Sequence, residues 1–260
     1  MGLPLADLFS SVAAEYETHW AQVLMPANRQ LVAMVPLAEA LAVLDVGGGV
    51  GSLAPVLQAA APRARVVVSD RAEGMVRRAR LGIRVVADAS RLPFGSEAFD
   101  AVFVTFVLQY IEEPDLMFGE VARVLRQGGA VAVAGWGRTR GTPSEQIWMD
   151  ALDEFGAPPA TSPPAVDREA IDTLGKLEEV LARAGFDHIR TRRLAWSDHP
   201  DTERFISRMT NMGPSRRRLA TWDGESRRAF VETMRTRLGT LDPEAFRNES
   251  EVLAAVGVLP

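Results

Sequence analysis

Three glycines at alternate positions, Gly47, Gly49 and Gly51, follow Asp45 in the run LDVGGGVGS at residues 44–52. Glycine tolerates positive φ and has no side chain, so such a run can bend sharply and admit a ligand against the backbone. Further along, Asp70 closes the apolar run RVVVS of residues 65–69. A carboxylate at the end of the strand after a glycine turn can accept hydrogen bonds from both ribose hydroxyls of a nucleoside. It could equally cap the next helix, because Glu73 stands three residues on in capping-box spacing, and the two roles can coexist. The chemistry suggested is nucleoside binding. A dinucleotide fingerprint, G-x-G-x-x-G, fits less well: read from Gly47 and Gly49, its third place falls on Ser52.

The apolar spacing supplies the elements that must hold these groups. Val43, Leu44 and Val46 suit a buried strand, and Leu53, Val56 and Leu57 start a helical period, so the glycines join half of a parallel α/β unit. Pro62 closes that helix, residues 64–69 form a second strand, and residues 83–87 a third that leads into Asp88, Ala89 and Ser90. Residues 99–104 are apolar on both faces, as a central parallel strand must be. They deliver Thr105 and Phe106 to the carboxyl end, where open α/β sheets bind ligands. Pro114 begins a helix whose buried stripe is expected at Leu116, Val121, Val124 and Leu125, with Gly128 as its left-handed stop. Strands over 130–136, 189–196 and 250–258 complete the count at seven, with an amphipathic helix over 174–184. The first forty residues read as helices, one through Leu8, Val12 and Ala13 and a second beyond Pro26.

Composition narrows the function. A net charge of −5 argues against a nucleic-acid backbone as the main partner. The chain has no cysteine, which excludes thiolate metal sites and cysteine nucleophiles, and His19, His188 and His199 show no metal spacing. No secretory signal and no apolar run of membrane-spanning length is apparent, so a cytoplasmic protein with no membrane partner is expected.

Asp-x-Gly-x-Gly-x-Gly resembles motif I of class I S-adenosylmethionine-dependent methyltransferases. The run ADASRLPFGSEAFDAVFVTFVLQYIEEPDLMFGEVARVLRQGGAVAVAGW, residues 87–136, is similar to the small-molecule branch that contains the ubiquinone and menaquinone biosynthesis enzymes. The resemblance is good over about residues 40–136 and loose elsewhere. It implies a Rossmann-like, seven-stranded, mostly parallel α/β sheet with helices on both faces, plus amino-terminal helices and helical lid insertions. It implies S-adenosyl-L-methionine as cofactor and S-adenosyl-L-homocysteine as product. The cofactor would be held by Asp45, Gly47, Gly48, Gly49 and Gly51, by Asp70, Arg71 and Met75, by Asp88, Ala89 and Ser90, and by Thr105 and Phe106. Within that set Asp88 would take the adenine amino group and the Ala89 amide the ring. Some relatives carry a histidine pair where this chain has Gln109 and Tyr110.

A single domain is expected, divided into cap helices over 1–40, the cofactor core over 41–136, insertions over 137–170 and 199–245, and 171–198 with 246–260 completing the core. The proline-rich run GAPPATSPPA, residues 156–165, is a lid or hinge candidate. Residues placed beside an acceptor are Trp20, Gln109, Tyr110, Trp136, Trp148, Trp196, Phe205 and Met209. Methyl transfer from a sulfonium depends mainly on in-line positioning. If the acceptor needs deprotonation, His19, Tyr16 and His199 are the candidates. The basic run Arg216, Arg217, Arg218 reads as a solvated helix face or a contact to an acceptor anion. The expected partner is a small, hydrophobic acceptor of secondary metabolism, and a homodimer is compatible with the sequence. A non-catalytic binding module of the same fold is the alternative, and a nicotinamide oxidoreductase a weaker one.

Overall fold

The computed structural model describes residues 4–139, 141–160 and 171–260. Its centre is one sheet of seven strands: β1 (Ala42–Val46), β2 (Arg65–Asp70), β3 (Ile83–Val86), β4 (Phe99–Thr105), β5 (Leu125–Thr139), β6 (Asp187–Asp198) and β7 (Asn248–Val258). They lie in the order β3-β2-β1-β4-β5-β7-β6. The first five pair in parallel, whereas β7 runs antiparallel to both β5 and β6. This is an α/β Rossmann-like fold. The strand order reverses between β1 and β4, so the carboxyl ends of these two strands flank a crevice of the kind that receives ligands in open sheets.

Helices cover both faces. On one side lie α3 (Ala21–Val32) and α4 (Ala54–Ala60), and on the other α6 (Pro114–Val124) and α8 (Leu174–Arg183). Because β1 and β4 are buried from both sides, Val43, Leu44, Val102, Phe103 and Val104 are all fully enclosed. The buried stripe of α6 is Met117, Phe118, Val121 and Val124, together worth roughly 6–12 kcal/mol before entropic costs. The stripe expected at Leu116 is therefore corrected by one position: Leu116 is 54% exposed. A 3.6-residue period that faces Val121 and Val124 inward also turns Met117 inward and Leu116 out.

The amino-terminal segment differs from its expected form. It comprises α1 (Leu5–Ser11), α2 (Ala13–His19) and α3, and α3 runs through Pro26 instead of starting beyond it. Proline removes one backbone donor, and the burial of Val23, Leu24, Ala27 and Leu31 against the sheet offsets that loss. Thus α3 is part of the layer covering the sheet. Only α1 and α2 lie over the glycine turn, packing with α5 (Glu73–Val76) in a small cluster of Ala13, Val50, Ala72 and Met75.

The remaining helices, α7 (Pro143–Glu154), α9 (Thr202–Asn211), α10 (Gly213–Leu219) and α11 (Gly224–Leu238), share a separate core. Trp148 and Phe205 are at its centre, fully buried, with Trp148 Nε1 donating to Ser215 Oγ at 2.6 Å. The proline-rich candidate is described only through residue 160; residues 161–165 of it lie outside the described residues, as do residues 140 and 166–170 of the 137–170 insertion. Among the described residues no helix is long and apolar enough to cross a membrane.

Candidate active site

At the carboxyl end of β1 the chain enters the glycine turn. Gly47, Gly49 and Gly51 all have positive φ, between 56° and 72°. Two of them are fixed by packing: a Cβ on Gly47 would lie 2.6 Å from Val107 Cγ2, and one on Gly51 would lie 2.6 Å from Ala79 Cβ. Gly49 is different. Its nearest neighbours would be Asp70 Oδ2 and Tyr16 Cε1, both at 4.0 Å, so the missing side chain leaves open space between a carboxylate and a ring.

Asp70 closes β2 beside that space. Its Oδ2 accepts from the Gly49 amide at 3.0 Å and its Oδ1 from the Ala72 amide at 2.8 Å. A carboxylate offers about four lone-pair sites, so accepting capacity remains after these amides are bound. Burial raises the Asp70 pKa, and the backbone donors Ala72 and Gly49 oppose the rise. The capping role is not met: the residue that caps α5 is Ala72, without a side-chain cap, and Glu73 is already the first helical residue, so Asp70 ties the loop before α5 to the glycine turn and still presents oxygens to the cavity.

A cavity of about 660 Å³ runs from this point toward the lid. At one end it is lined by Gly47, Gly49, Asp70, Arg71 and Met75, and by Asp88 and Ala89 after β3. The loop beyond Ala89 is held from α6: Glu120 accepts from the Leu92 amide, and Arg123 donates to the carbonyls of Leu92 and Phe94 at 3.0 and 2.8 Å. Midway, Thr105 and Phe106 leave β4. Phe106 holds a left-handed φ of 55°, a conformation that costs roughly 1–2 kcal/mol for a residue with a side chain. Its amide is bonded to Ala134 and its carbonyl takes the Gln109 side-chain amide at 2.9 Å, so one of the two Gln109 N–H donors is committed to the turn. The far end is aromatic: Trp136 lies 4.8 Å from Phe106, 5.1 Å from Trp196 and 6.2 Å from Trp20 between ring centroids. Tyr110 and Met209 also line the cavity.

Other expected site residues lie elsewhere. Trp148 and Phe205 belong to the lid's own core, because a helix that must pack against three others buries its largest rings. Gly48, Gly51 and Ser90 are not in the cavity wall; Ser90 instead donates its amide to Asp88 Oδ1 at 2.9 Å. His19 Nε2 is 3.4 Å from Ser207 Oγ and His199 is exposed; neither reaches the cavity. Tyr16 does reach it. Burial, reinforced by Tyr110, Asp70 and Asp45, drives its pKa above the ordinary 10, so it is a neutral phenol at physiological pH and an unsuitable base. Arg218 is no solvated residue: it is 5% exposed and donates to Asp153 and to the carbonyls of Ala157 and Pro158.

The structure adds lining residues that the sequence reading missed. Phe9 packs 5.1 Å from Tyr110 and 6.4 Å from Tyr16. Its spacing with Val12, Ala13 and Tyr16, at i, i+3, i+4 and i+7, was the available signal. Glu145, Met149, Pro214, Asn248 and Ser250 also reach the wall. Asn248 and Ser250 are polar interruptions at the start of an apolar strand, and Ser250 Oγ donates to Asn248 Oδ1 at 3.0 Å.

Asp45 stands beneath the turn, fully buried, and neither carboxylate oxygen has a hydrogen-bond partner. Burial, with a smaller contribution from Asp70, raises its pKa from 3.8 to about 8. The folded state therefore holds a proton that the unfolded chain releases, and stability attributable to Asp45 is complete below about pH 4 and is lost as pH rises toward 8. Asp45→Asn is expected to melt close to the wild type at pH 4.5 and progressively above it up to pH 8, on the order of ten degrees at the upper end. A difference in melting temperature that does not grow with pH would contradict a protonated Asp45.

Comparison with known proteins agrees with this geometry. A methyltransferase domain model matches residues 44–133. A malonyl-[acyl-carrier protein] O-methyltransferase of Geobacter sulfurreducens is 31% identical over 240 residues, covering 88% of this chain and 87% of the relative. A ubiquinone/menaquinone biosynthesis C-methyltransferase of Bordetella parapertussis is 36% identical over 149 residues, 52% of this chain and 57% of the relative. Among solved structures, a Haloferax volcanii methyltransferase in complex with the Trm112 methyltransferase activator aligns with a TM-score of 0.55 at 23% identity, covering 97% of both chains. Phosphoethanolamine N-methyltransferase 2 of Haemonchus contortus, bound to S-adenosylhomocysteine, aligns at 0.54 and 22%, over 96% of this chain and 57% of that one. Fold, glycine turn, strand-end acid and a relative matched over most of both chains together place the chain in the family of S-adenosylmethionine-dependent methyltransferases.

Proposed function

We propose that this chain transfers the methyl group of S-adenosyl-L-methionine to a small apolar acceptor seated against Trp20, Phe106, Trp136 and Trp196. The observation that carries the proposal is the continuity of the cavity from Gly49 and Asp70 to the tryptophans. The cofactor fits the residues present: the side-chain-free face of Gly49 leaves room for it, and Asp70 keeps lone pairs for two ribose hydroxyls. In this reading Asp88 and the Ala89 amide take the adenine, and Thr105 and Phe106 border the methionine part; that all four line the cavity supports it. When bound, the cofactor supplies a methyl group on a positively charged sulfur.

What the protein contributes is placement and exclusion of water. Alignment of acceptor and donor is worth up to roughly 7–11 kcal/mol in favourable cases. None of the three histidines lines the cavity, and Tyr16 is held protonated. This favours an acceptor whose nucleophile is already formed at neutral pH, or one that gives its proton to Glu145, the carboxylate that α7 adds to the wall. Among the described lining residues, Arg71 is the only cation, and it follows Asp70 at the cofactor end. The acceptor end instead carries rings, methionines and the Asn248–Ser250 pair, which supports an apolar body with a polar handle.

Asp70→Ala should leave a folded protein that binds S-adenosyl-L-homocysteine more weakly by about 1.5–3 kcal/mol, the scale of hydrogen bonds to a charged group. Calorimetric titration measures this directly, and an unchanged dissociation constant would refute the ribose assignment. The activity itself is tested with methyl-labelled cofactor against a panel of apolar phenols, amines and carboxylic acids. Label transfer to none, with the cofactor bound, would favour a binding module over an enzyme.

A further inference from the structure

The segment RRARLGIR, residues 77–84, places four arginines outside the cofactor cavity. Gly82, at φ +92°, turns so closely over β2 that a Cβ would lie 2.9 Å from the Val66 carbonyl oxygen. That turn brings Arg84, on β3, back toward Arg77, Arg78 and Arg80. With Glu17 of α2 these side chains surround a second cavity of about 570 Å³.

The charges in this wall do not balance. Glu17 is the sole acid among the lining residues, and it serves two arginines, Arg78 at 2.7 Å and Arg80 at 3.4 Å. Arg77 pairs with Glu73, outside the wall, at 2.6 Å, and Arg84 donates to the Arg77 carbonyl at 3.4 Å. Arg80 has an 86% exposed side chain, so its guanidinium is open to a ligand. Four guanidinium groups against two carboxylates, Glu17 and Glu73, in a chain of net charge −5, leave a local excess of positive charge suited to an anion. Guanidinium forks match pairs of phosphate oxygens. Apart from the charged residues, the wall offers only Ala79 and Gly82, with no ring on which a base could stack.

We propose that this cavity binds a diphosphate group, free or carried on a small ester, and that the anion competes with Glu17 for Arg78 and Arg80. Calorimetric titration of the full chain with sodium pyrophosphate at low salt is expected to give one saturable site. Arg80 and Arg84 are exposed, so the Arg80→Ser, Arg84→Ser double variant should fold, which circular dichroism checks, and should bind at least about tenfold more weakly. Glu17→Gln removes the competitor and should bind severalfold more tightly, a larger gain than Glu39→Gln gives, since Glu39 carries the same charge but lies outside the wall. Uridine diphosphate in a parallel titration separates the sources: equal affinity marks the free diphosphate, tighter binding an ester. The absence of saturable binding for both anions, or an affinity that the double arginine variant leaves unchanged, overturns the proposal.

Discussion

Gly49→Val is expected to fold and to lose S-adenosyl-L-homocysteine binding by at least about a thousandfold, some 4 kcal/mol or more. The reasoning is steric. A side chain at this position points between Asp70 Oδ2 and Tyr16 Cε1, each 4.0 Å from the added Cβ, and the branches of valine would occupy the gap that the ligand needs. No protein group is displaced by the first carbon, so the fold should survive; the left-handed φ of 56° costs roughly 1–2 kcal/mol of stability. Gly49→Ala, smaller in the same direction, provides a graded control. Calorimetry reports binding and circular dichroism the fold. A valine variant that still binds tightly would put the cofactor somewhere other than the glycine turn.

Gly51→Val is expected to fail for a different reason. Its Cβ would lie 2.6 Å from Ala79 Cβ and 3.2 Å from Ala79 Cα, against backbone that cannot swing aside. The φ of 72° adds its own cost of roughly 1–2 kcal/mol, and overpacking roughly 1–3 kcal/mol, so a loss of about 2–5 kcal/mol is expected. Chemical denaturation of the ligand-free protein measures this loss, and it should be nearly the same at Gly51→Ala minus the contribution of the branches. Little change in stability would mean that the Gly51 contact with Ala79 is not the constraint described here. The pair of glycines, two residues apart, separates a position kept small for a ligand from one kept small for packing.

The frame of the fold was readable because its signals are local. Apolar runs at 43–46, 65–69 and 99–104 became β1, β2 and β4, and the glycines at 47, 49 and 51 took the positive φ that their type allows. Long-range choices were less accessible. Nothing local distinguishes Trp148 and Phe205, which build the lid's core, from Trp20 and Trp136, which reach the cavity: all four are large rings on or beside helices or strand ends. The path of α3 through Pro26 depends on how much apolar surface it buries against the sheet, a tertiary quantity that outweighs a local helix breaker. The fate of each base candidate was equally remote from its neighbours in sequence. His19 turns to Ser207 of α9, and Tyr16 is enclosed by Phe9, Tyr110 and the glycine turn.

The division of labour that results is simple in physical terms. In the proposed function, backbone turns and one carboxylate, Asp70, would hold the nucleoside at the sheet, while rings contributed by β5, β6 and the linker between α2 and α3 would enclose the acceptor. Trp196 is fixed by donating its Nε1 hydrogen to the Val23 carbonyl at 2.6 Å, which ties the acceptor wall to α3. Arg208, 7% exposed, joins the same region from the lid: it donates to Asp198 at 2.6 Å and its guanidinium carbon lies 5.6 Å from the centre of the Trp20 ring.

A crystal structure of the chain soaked with S-adenosyl-L-homocysteine bears most directly on the central reading. It should show the ribose hydroxyls on Asp70, the adenine beside Asp88 and Ala89, and the sulfur directed toward Trp20 and Phe106. Density for the ligand outside this crevice, or none within it at saturating concentration, would contradict the account.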